Sequence, residues 1–102
     1  MNKYNNFLIY KIYQNDDPTI FYIGSTTNFS QRKASHKKAV YNRSSKKYKY
    51  PLYQYIRGMG GWDKFTMVEY EKYPVQTLGD GLLREKELIQ ELKSILNKNY
   101  TK

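Results

Sequence analysis

The chain contains no cysteine and no long uninterrupted apolar run. Without thiols it can form neither a disulfide framework nor a thiolate zinc site. No apolar stretch approaches the roughly 18 residues that a membrane-spanning helix needs, so we expect no membrane insertion. Residues 1–6 also lack the apolar segment of a signal peptide. These absences predict an intracellular protein, in the cytoplasm or the nucleus.

Acidic residues are missing from the middle of the chain. The net formal charge is +9, from 18 Lys and Arg against 9 Asp and Glu, and no acidic residue stands between Asp17 and Asp63. A block of one sign attracts polyanions, and the tyrosines within it offer surfaces on which unpaired bases can stack. A solubilising surface is the alternative interpretation. The predicted nucleic-acid-binding residues are Lys33, Lys37, Lys38, Arg43, Lys46, Lys47, Lys49 and Arg57.

The length of 102 residues and an aromatic content of 17% predict one folded domain over residues 1–102. Segments 7–14, 20–25 and 65–73 are rich in β-branched and aromatic residues and are predicted strands. Segments 29–41, 52–57 and 82–96 are predicted helices. The order β-β-α-α-β-α indicates an α+β fold, with a three-stranded, mainly antiparallel sheet flanked by helices.

Several element boundaries carry their own signals. Asn28 has Gln31 three residues later, as in a helix capping box, and Pro51 suits the first turn of the second helix. Gly24 ends the second strand, where a missing side chain lets a backbone or a ligand come close. Thr77 or Asp80 is the predicted cap of the last helix. The predicted inward face of that helix is Leu82, Leu83, Leu88, Ile89, Leu92 and Ile95 or Leu96.

Five side chains have the chemistry that phosphodiester hydrolysis needs, which is an aimed water, a neutralised phosphate and a stabilised leaving oxygen. Arg32 offers a planar, permanently charged fork to phosphate, and Glu85 offers an oxygen ligand to a divalent ion. Tyr10 and Tyr22 could place the water. His36, one helical turn after Arg32, could relay a proton or bind phosphate. Taken singly, each has an ordinary surface or packing role as its alternative.

The order and spacing of these residues resemble the GIY-YIG nuclease family over essentially the whole chain. Tyr22-Ile23-Gly24 is a literal copy of the second motif in that name. Leu8-Ile9-Tyr10 stands at the first motif, with Leu8 in place of its glycine. Arg32 matches the helix arginine, and Glu85 matches the metal-binding glutamate. The terminal asparagine of the family is matched by Asn97, which could orient a side chain or close the last helix.

The resemblance implies a metal-dependent DNA endonuclease. Tyr10 and Tyr22 would serve the attacking water, Arg32 would hold the scissile phosphate, and Glu85 would hold a single Mg²⁺ or Mn²⁺. His36 and Asn97 complete the predicted catalytic set. The chain has little room for an element that reads base edges, so we expect low intrinsic sequence specificity. A partner protein, or a DNA-binding domain in a longer native chain, would then supply targeting.

Two other functions stay open on the sequence. The degenerate first motif beside an intact basic face suggests an inactive nucleic-acid-binding module on the same fold. The net charge alone also suits an adaptor for a phosphate-rich partner or a membrane surface.

Overall fold

The computed structural model describes residues 3–98. Strands β1 (Leu8–Gln14) and β2 (Phe21–Thr26) form an antiparallel hairpin, and β3 (Phe65–Lys72) pairs antiparallel with the other edge of β1. The sheet order is therefore β2-β1-β3. The predicted α+β fold with a three-stranded antiparallel sheet is confirmed.

Helices fill the rest of the described chain. Helix α1 covers Phe29–Tyr41 as predicted, and the Asn28 side chain accepts a hydrogen bond from the Gln31 backbone N–H at 3.0 Å. Helix α2 covers Pro51–Gly58, with the proline in its first turn. A short 3-10 helix (Trp62–Lys64) precedes β3, and α3 (Leu78–Leu92) and α4 (Ile95–Lys98) follow it.

Alternation along β1 sends its side chains into two apolar layers. Tyr10 and Ile12 belong to a cluster with residues of α1 and α2. Ile9 belongs to a second cluster with β2 residues and Leu88 of α3. The sheet therefore lies between α1 and α2 on one face and α3 on the other, so β1, its central strand, is buried on both faces.

The prediction of one helix over 82–96 was wrong. Helix α3 begins at Leu78, where Thr77 caps it by accepting a hydrogen bond from the Asp80 N–H at 3.2 Å. It ends at Leu92 because Lys93 adopts the left-handed conformation, with φ 55° and ψ 53°. The chain then turns into α4, which lies against β2.

The predicted inward face of this helix was also partly wrong. Leu82 and Leu83 are 47% and 57% exposed, while Leu88 is buried. A Cβ on Gly81 would stand 2.4 Å from Cζ of Phe7, so this glycine lets α3 approach the sheet closely. The contact face is centred on Gly81 and Leu88, which turns the two leucines outward.

No helix within residues 3–98 has both the length and the apolar character needed to cross a membrane.

Candidate active site

Tyr10 lies at the centre of the sheet, directly opposite Gly24 of β2. A Cβ on Gly24 would stand 2.3 Å from both Cζ and the hydroxyl oxygen of Tyr10. The group that approaches this glycine is therefore the Tyr10 ring, rather than a backbone. The glycine of the Tyr22-Ile23-Gly24 motif thus makes the space that Tyr10 occupies.

His36 of α1 connects two tyrosine hydroxyls. Its Nε2 lies 2.6 Å from the Tyr10 hydroxyl, and its Nδ1 lies 2.8 Å from the Tyr53 hydroxyl. The ring of Trp62 stacks on the imidazole, with the ring centres 6.3 Å apart and the ring planes at 13°. At 1% exposure the imidazole has no surface for a phosphate, so of its two predicted roles only the proton relay suits its position.

The same burial fixes the charge of His36. Burial, followed by the positive charges of Arg32 and Lys47, lowers the pKa of His36 to about 3. The imidazole is therefore neutral at physiological pH, with one nitrogen donating and the other accepting. The hydrogen bonds along Tyr10, His36 and Tyr53 must consequently run in one direction.

Arg32 lies one turn before His36 on the same side of α1. Its Nε donates a hydrogen bond to the Tyr10 hydroxyl at 3.2 Å. Within the described residues, neither of its terminal guanidinium nitrogens has a hydrogen-bond or ion-pair partner. These two nitrogens can therefore receive the oxygens of a phosphate.

Tyr22 stands beside this group on β2 and is half-buried. Its ring centre is 6.5 Å from that of Tyr10 and 6.1 Å from that of His36. Burial raises the pKa of Tyr22 above its ordinary value and raises the pKa of Tyr10 to about 12. Both side chains are neutral phenols at physiological pH, able to donate and to accept hydrogen bonds.

Glu85 reaches the site from α3. Its Oε1 accepts a hydrogen bond from the Ser25 hydroxyl, at the end of β2. Burial raises the pKa of this carboxyl, while the Ser25 hydrogen bond and the charge of Arg32 lower it. The carboxylate in turn raises the pKa of Tyr10 and Tyr22. The four predicted groups thus act on one another electrostatically from four different elements.

Arg84 fixes the orientation of this part of α3. Its Nε and one terminal nitrogen donate to the two carboxylate oxygens of Glu71 on β3, at 2.7 and 2.8 Å. Such a two-point ion pair resists rotation better than a single contact. Glu85 is the next residue, so the pair also restrains the turn of α3 that carries Glu85.

Asn97 clamps the strand that carries Tyr22. Its Oδ1 accepts a hydrogen bond from the Ile23 N–H at 2.6 Å, and its Nδ2 donates to the Ile23 carbonyl at 2.8 Å. The Ser94 hydroxyl also donates to Oδ1. Asn97 is buried among these partners, which suits the predicted orienting role better than the closing of a helix.

Glu85 also decides whether the site suits a divalent ion. Within residues 3–98, no group of three or more His, Asp or Glu residues could hold a metal. Mg²⁺ keeps several waters and is commonly bound by one or two carboxylates together with substrate phosphates. A single carboxylate ligand near a guanidinium with two unpaired terminal nitrogens is compatible with Mg²⁺ or Mn²⁺ bound together with a substrate phosphate.

Most of the predicted nucleic-acid-binding residues are exposed. Lys33, Lys37 and Lys38 are exposed on α1. Four more exposed cations lie in the segment 42–50, which we call the basic loop. Those four are Arg43, Lys46, Lys47 and Lys49. The exposed cations thus continue from α1 into the basic loop.

Arg57, the eighth predicted nucleic-acid-binding residue, has partners within the protein. Its guanidinium donates hydrogen bonds to the carbonyls of Val40 at 2.9 Å and Tyr48 at 2.5 Å, and it lies 3.7 Å from the centre of the Tyr48 ring. These contacts tie the basic loop to the end of α1. Both terminal guanidinium nitrogens are thus engaged within the protein, and a DNA contact by Arg57 stays a prediction.

Three residues at the site were not singled out by the sequence. Tyr53, Ser25 and Trp62 contact His36 or Glu85, but their positions depend on how α2, β2 and the 3-10 helix pack. Tyr53 was one of the tyrosines in the basic stretch, for which the sequence offered stacking on bases or filling of the core. Neither interpretation indicates a hydrogen-bond partner.

The model of the GIY-YIG catalytic domain matches residues 6–100. The chain belongs to the GIY-YIG family. Members of this family are nucleases that cleave DNA and generally use a divalent metal. Neither a search of curated proteins nor a search of solved structures found a match to the chain.

Proposed function

We propose that this GIY-YIG domain is an Mg²⁺- or Mn²⁺-dependent endonuclease that hydrolyses DNA phosphodiester bonds with low intrinsic sequence specificity. One observation supports it above the others. The Tyr10 hydroxyl stands between Nε of Arg32, at 3.2 Å, and Nε2 of His36, at 2.6 Å. It thus has a cation on one side and a neutral base on the other.

Arg32 binds the scissile phosphate in this proposal. Its two terminal nitrogens have no other partner within the described residues, and a guanidinium matches two phosphate oxygens at once. The same cation holds the Tyr10 hydroxyl through Nε. Phosphate and phenol are therefore fixed relative to each other, which favours in-line attack.

Tyr10 and His36 move the proton of the attacking water. Tyr10 is 0% exposed in the free protein, so in this proposal the bound DNA admits one water to its oxygen. Tyr22 and Tyr10 orient this water, whose proton passes to the Tyr10 oxygen while the Tyr10 proton passes to Nε2 of His36. Nδ1 of His36 then donates to the Tyr53 hydroxyl. In the free protein burial, and then the charge of Arg32, disfavour a protonated imidazole. A bound phosphate offsets that charge and makes the transfer easier.

Glu85 would hold the metal ion. When bound there, the ion supplies charge stabilisation to the leaving oxygen. The Ser25 hydroxyl holds one carboxylate oxygen of Glu85, and Arg84 fixes the rotation of the helix beneath it. The chain therefore presents this ligand in a defined direction toward the phosphate on Arg32.

Low sequence specificity follows from the type of contact that the surface offers. The exposed cations of α1 and the basic loop suit phosphates, and phosphate contacts fix position without reading sequence. We infer that a partner protein, or a DNA-binding domain in a longer native chain, directs the nuclease to its sites. Mapping cut positions on a long duplex tests this, because a single sharp recognition site would contradict it.

Glu85→Gln tests the proposed reaction. The variant should lose metal-dependent cleavage of plasmid DNA and bind DNA as the parent does, because the amide keeps the shape and loses the charge. Glu91→Gln, on the exposed side of the same helix, is the matched control and should cut normally. Cleavage by Glu85→Gln at the parent's rate would remove the assignment. DNA binding by the parent without any product in Mg²⁺ or Mn²⁺ would favour the inactive module.

A further inference from the structure

We propose that Tyr50 and Lys47, at the end of the basic loop, form a subsite for an unpaired nucleotide next to the cleaved bond. The inference rests on the proposed nuclease function and names a substrate class for it. That class is DNA with a base free to leave the duplex stack, as at a bulge, a gap or a flap.

Tyr50 is the outer member of a row of rings that leads into the active site. Its ring stacks on that of Tyr53, with the ring centres 6.2 Å apart and the ring planes at 16°. The Tyr53 hydroxyl in turn contacts His36. The Tyr50 side chain is nevertheless 52% exposed. The ring thus lies nearly parallel to that of a buried aromatic, and the side chain still offers surface to solvent. A ring held in this way is a preformed platform for a base.

The other exposed tyrosines of the described chain have additional contacts. The Tyr41 hydroxyl accepts a hydrogen bond from the Trp62 N–H at 2.9 Å. Lys11 lies 5.6 Å from the Tyr70 ring centre, and Arg84 lies 5.7 Å from that of Tyr73. Tyr50 has no side-chain hydrogen bond and no cation over its ring within residues 3–98. Its stacking on Tyr53 is therefore what positions it.

Lys47 belongs to the same turn as Tyr50. Its carbonyl accepts a hydrogen bond from the Tyr50 N–H at 2.9 Å, and its side chain is exposed. The charge of Lys47 contributes to the lowered pKa of His36, so it acts within the electrostatic reach of the active site. An aromatic platform and a cation thus belong to one turn, within electrostatic reach of His36.

The turn is held in place before any ligand binds. The Gln54 side chain donates a hydrogen bond to the Lys49 carbonyl at 2.8 Å, and Arg57 donates to the Tyr48 carbonyl at 2.5 Å. Both donors come from α2, the helix that also carries Tyr53. Little ordering would be needed on binding, which favours affinity.

The chemistry of this pair selects an unpaired nucleotide. A base within a duplex already stacks on both neighbours, so only an unpaired base can cover the Tyr50 ring at low cost. Base–aromatic stacking is worth about 1–3 kcal/mol per base and tolerates any sequence. Lys47 would meet the adjoining phosphate as a point charge. The pair would therefore distinguish DNA structure without distinguishing sequence.

Binding and cleavage of two matched oligonucleotides test the subsite. One is a fully paired duplex, and the other is the same duplex with one unpaired 2-aminopurine nucleotide. The parent should bind the second about tenfold more tightly in EDTA and should quench its fluorescence. Tyr50→Phe should keep both effects. Tyr50→Leu should lose both and bind the paired duplex as before, and Tyr70→Leu, at an exposed tyrosine of β3, should behave as the parent.

Lys47→Ala examines the cation of the pair separately. It should weaken binding of both duplexes and reduce the slope of log K against log salt by about one. Lys86→Ala, an exposed lysine on α3, is its control and should leave binding unchanged.

Two results would overturn the subsite. One is equal binding of the two duplexes by the parent, and the other is a Tyr50→Leu variant that melts like the parent and keeps its preference. If Tyr50→Leu unfolds, Tyr50→Phe and the fluorescence of the parent complex decide. Cleavage by the parent in Mg²⁺ is scored separately. Failure to cut defeats the proposed function, whereas normal cutting without a Tyr50 effect defeats the subsite alone.

Discussion

The Tyr10 hydroxyl lies 2.6 Å from Nε2 of His36 inside the apolar cluster formed by the sheet, α1 and α2. Within the described residues, no buried side-chain polar atom lacks a hydrogen-bond partner. The proposed proton-transfer pair is therefore also a structural pair, since each group satisfies the other in the buried interior of the free protein. Changes at this pair or its supports should act on both rate and stability, and the two effects need separating.

Tyr53→Phe should lower cleavage more than its loss of stability explains. The change removes the hydrogen-bond partner of Nδ1 of His36. The hydrogen bond between Tyr10 and His36 then no longer has a fixed direction. One such bond is worth about 1 kcal/mol, so we expect roughly a fivefold fall in kcat with little change in KM. Single-turnover kinetics on a plasmid substrate would measure it.

Tyr55→Phe is the matched control for that prediction. The Tyr55 hydroxyl donates to Oε1 of Gln14 at 2.6 Å, away from His36. Both variants should lose about 1 kcal/mol of unfolding free energy. Only Tyr53→Phe should lose activity, and equal activity in the two variants would contradict the role given to Tyr53.

The unfolding free energy should fall as the pH falls from about 6.5 toward 3. The pKa of His36 is lowered from 6.5 to about 3 by burial, so the unfolded chain binds a proton in this range that the folded protein does not. The stabilisation is fully present above the unfolded pKa and is lost on acidification, at up to about 1.4 kcal/mol per pH unit. Urea unfolding at several pH values would measure the slope.

His36→Gln tests the origin of that slope. Glutamine does not titrate, so the variant should be less stable at pH 7 and should show a shallower dependence between pH 6.5 and 4. An unchanged slope would assign the acid sensitivity to other groups.

Gly24→Ala should damage the site by displacing Tyr10. A methyl group at residue 24 would stand 2.3 Å from the Tyr10 hydroxyl oxygen, so the ring must move away from Arg32 and His36. We expect a loss of about 1–3 kcal/mol in stability and at least a hundredfold loss of cleavage. Gly58→Ala is the control. A Cβ on Gly58, at the end of α2, meets nothing within 4 Å, so the change should stabilise the protein by up to about 1 kcal/mol.

Asn97→Ala should loosen β2 at the residue after Tyr22. It leaves the N–H and the carbonyl of Ile23 without partners in a buried position, which costs about 2–4 kcal/mol in total. Thermal unfolding measures the loss. Asn42→Ala removes a comparable bond to a backbone N–H at the surface and should cost about 1 kcal/mol or less. Similar losses in both variants would argue against the clamp.

The sequence predicted best where local signals decide the structure. The capping pattern at Asn28 and Gln31 identified α1 to its first residue, and the β-branched runs identified all three strands. The end of α3 was missed because Lys93 gives no sign of a left-handed conformation. Leu82 and Leu83 were misplaced because the packing surface depends on Gly81, where the close approach of Phe7 is visible only in the fold.

The candidate site shows the same division. Tyr10, Tyr22, Arg32 and Glu85 were predicted from order and spacing, and the fold places them within electrostatic reach of one another. The contacts of Tyr53 with His36 and of Arg57 with the basic loop could not be predicted, because both depend on how α2 packs. Residues that position other side chains are harder to identify from sequence than residues that belong to a recognisable motif.

The burial of Tyr10 and His36 has a consequence for interpreting proteins built on the same plan. Because these two buried residues satisfy each other's hydrogen bonds, a related protein that does not cut DNA would still need them in order to fold. Glu85 contributes less to the stability of the fold, through one hydrogen bond that it accepts from the Ser25 hydroxyl at the edge of the sheet. Its loss, more than any change in the tyrosines, would mark a nuclease that has become a binding protein.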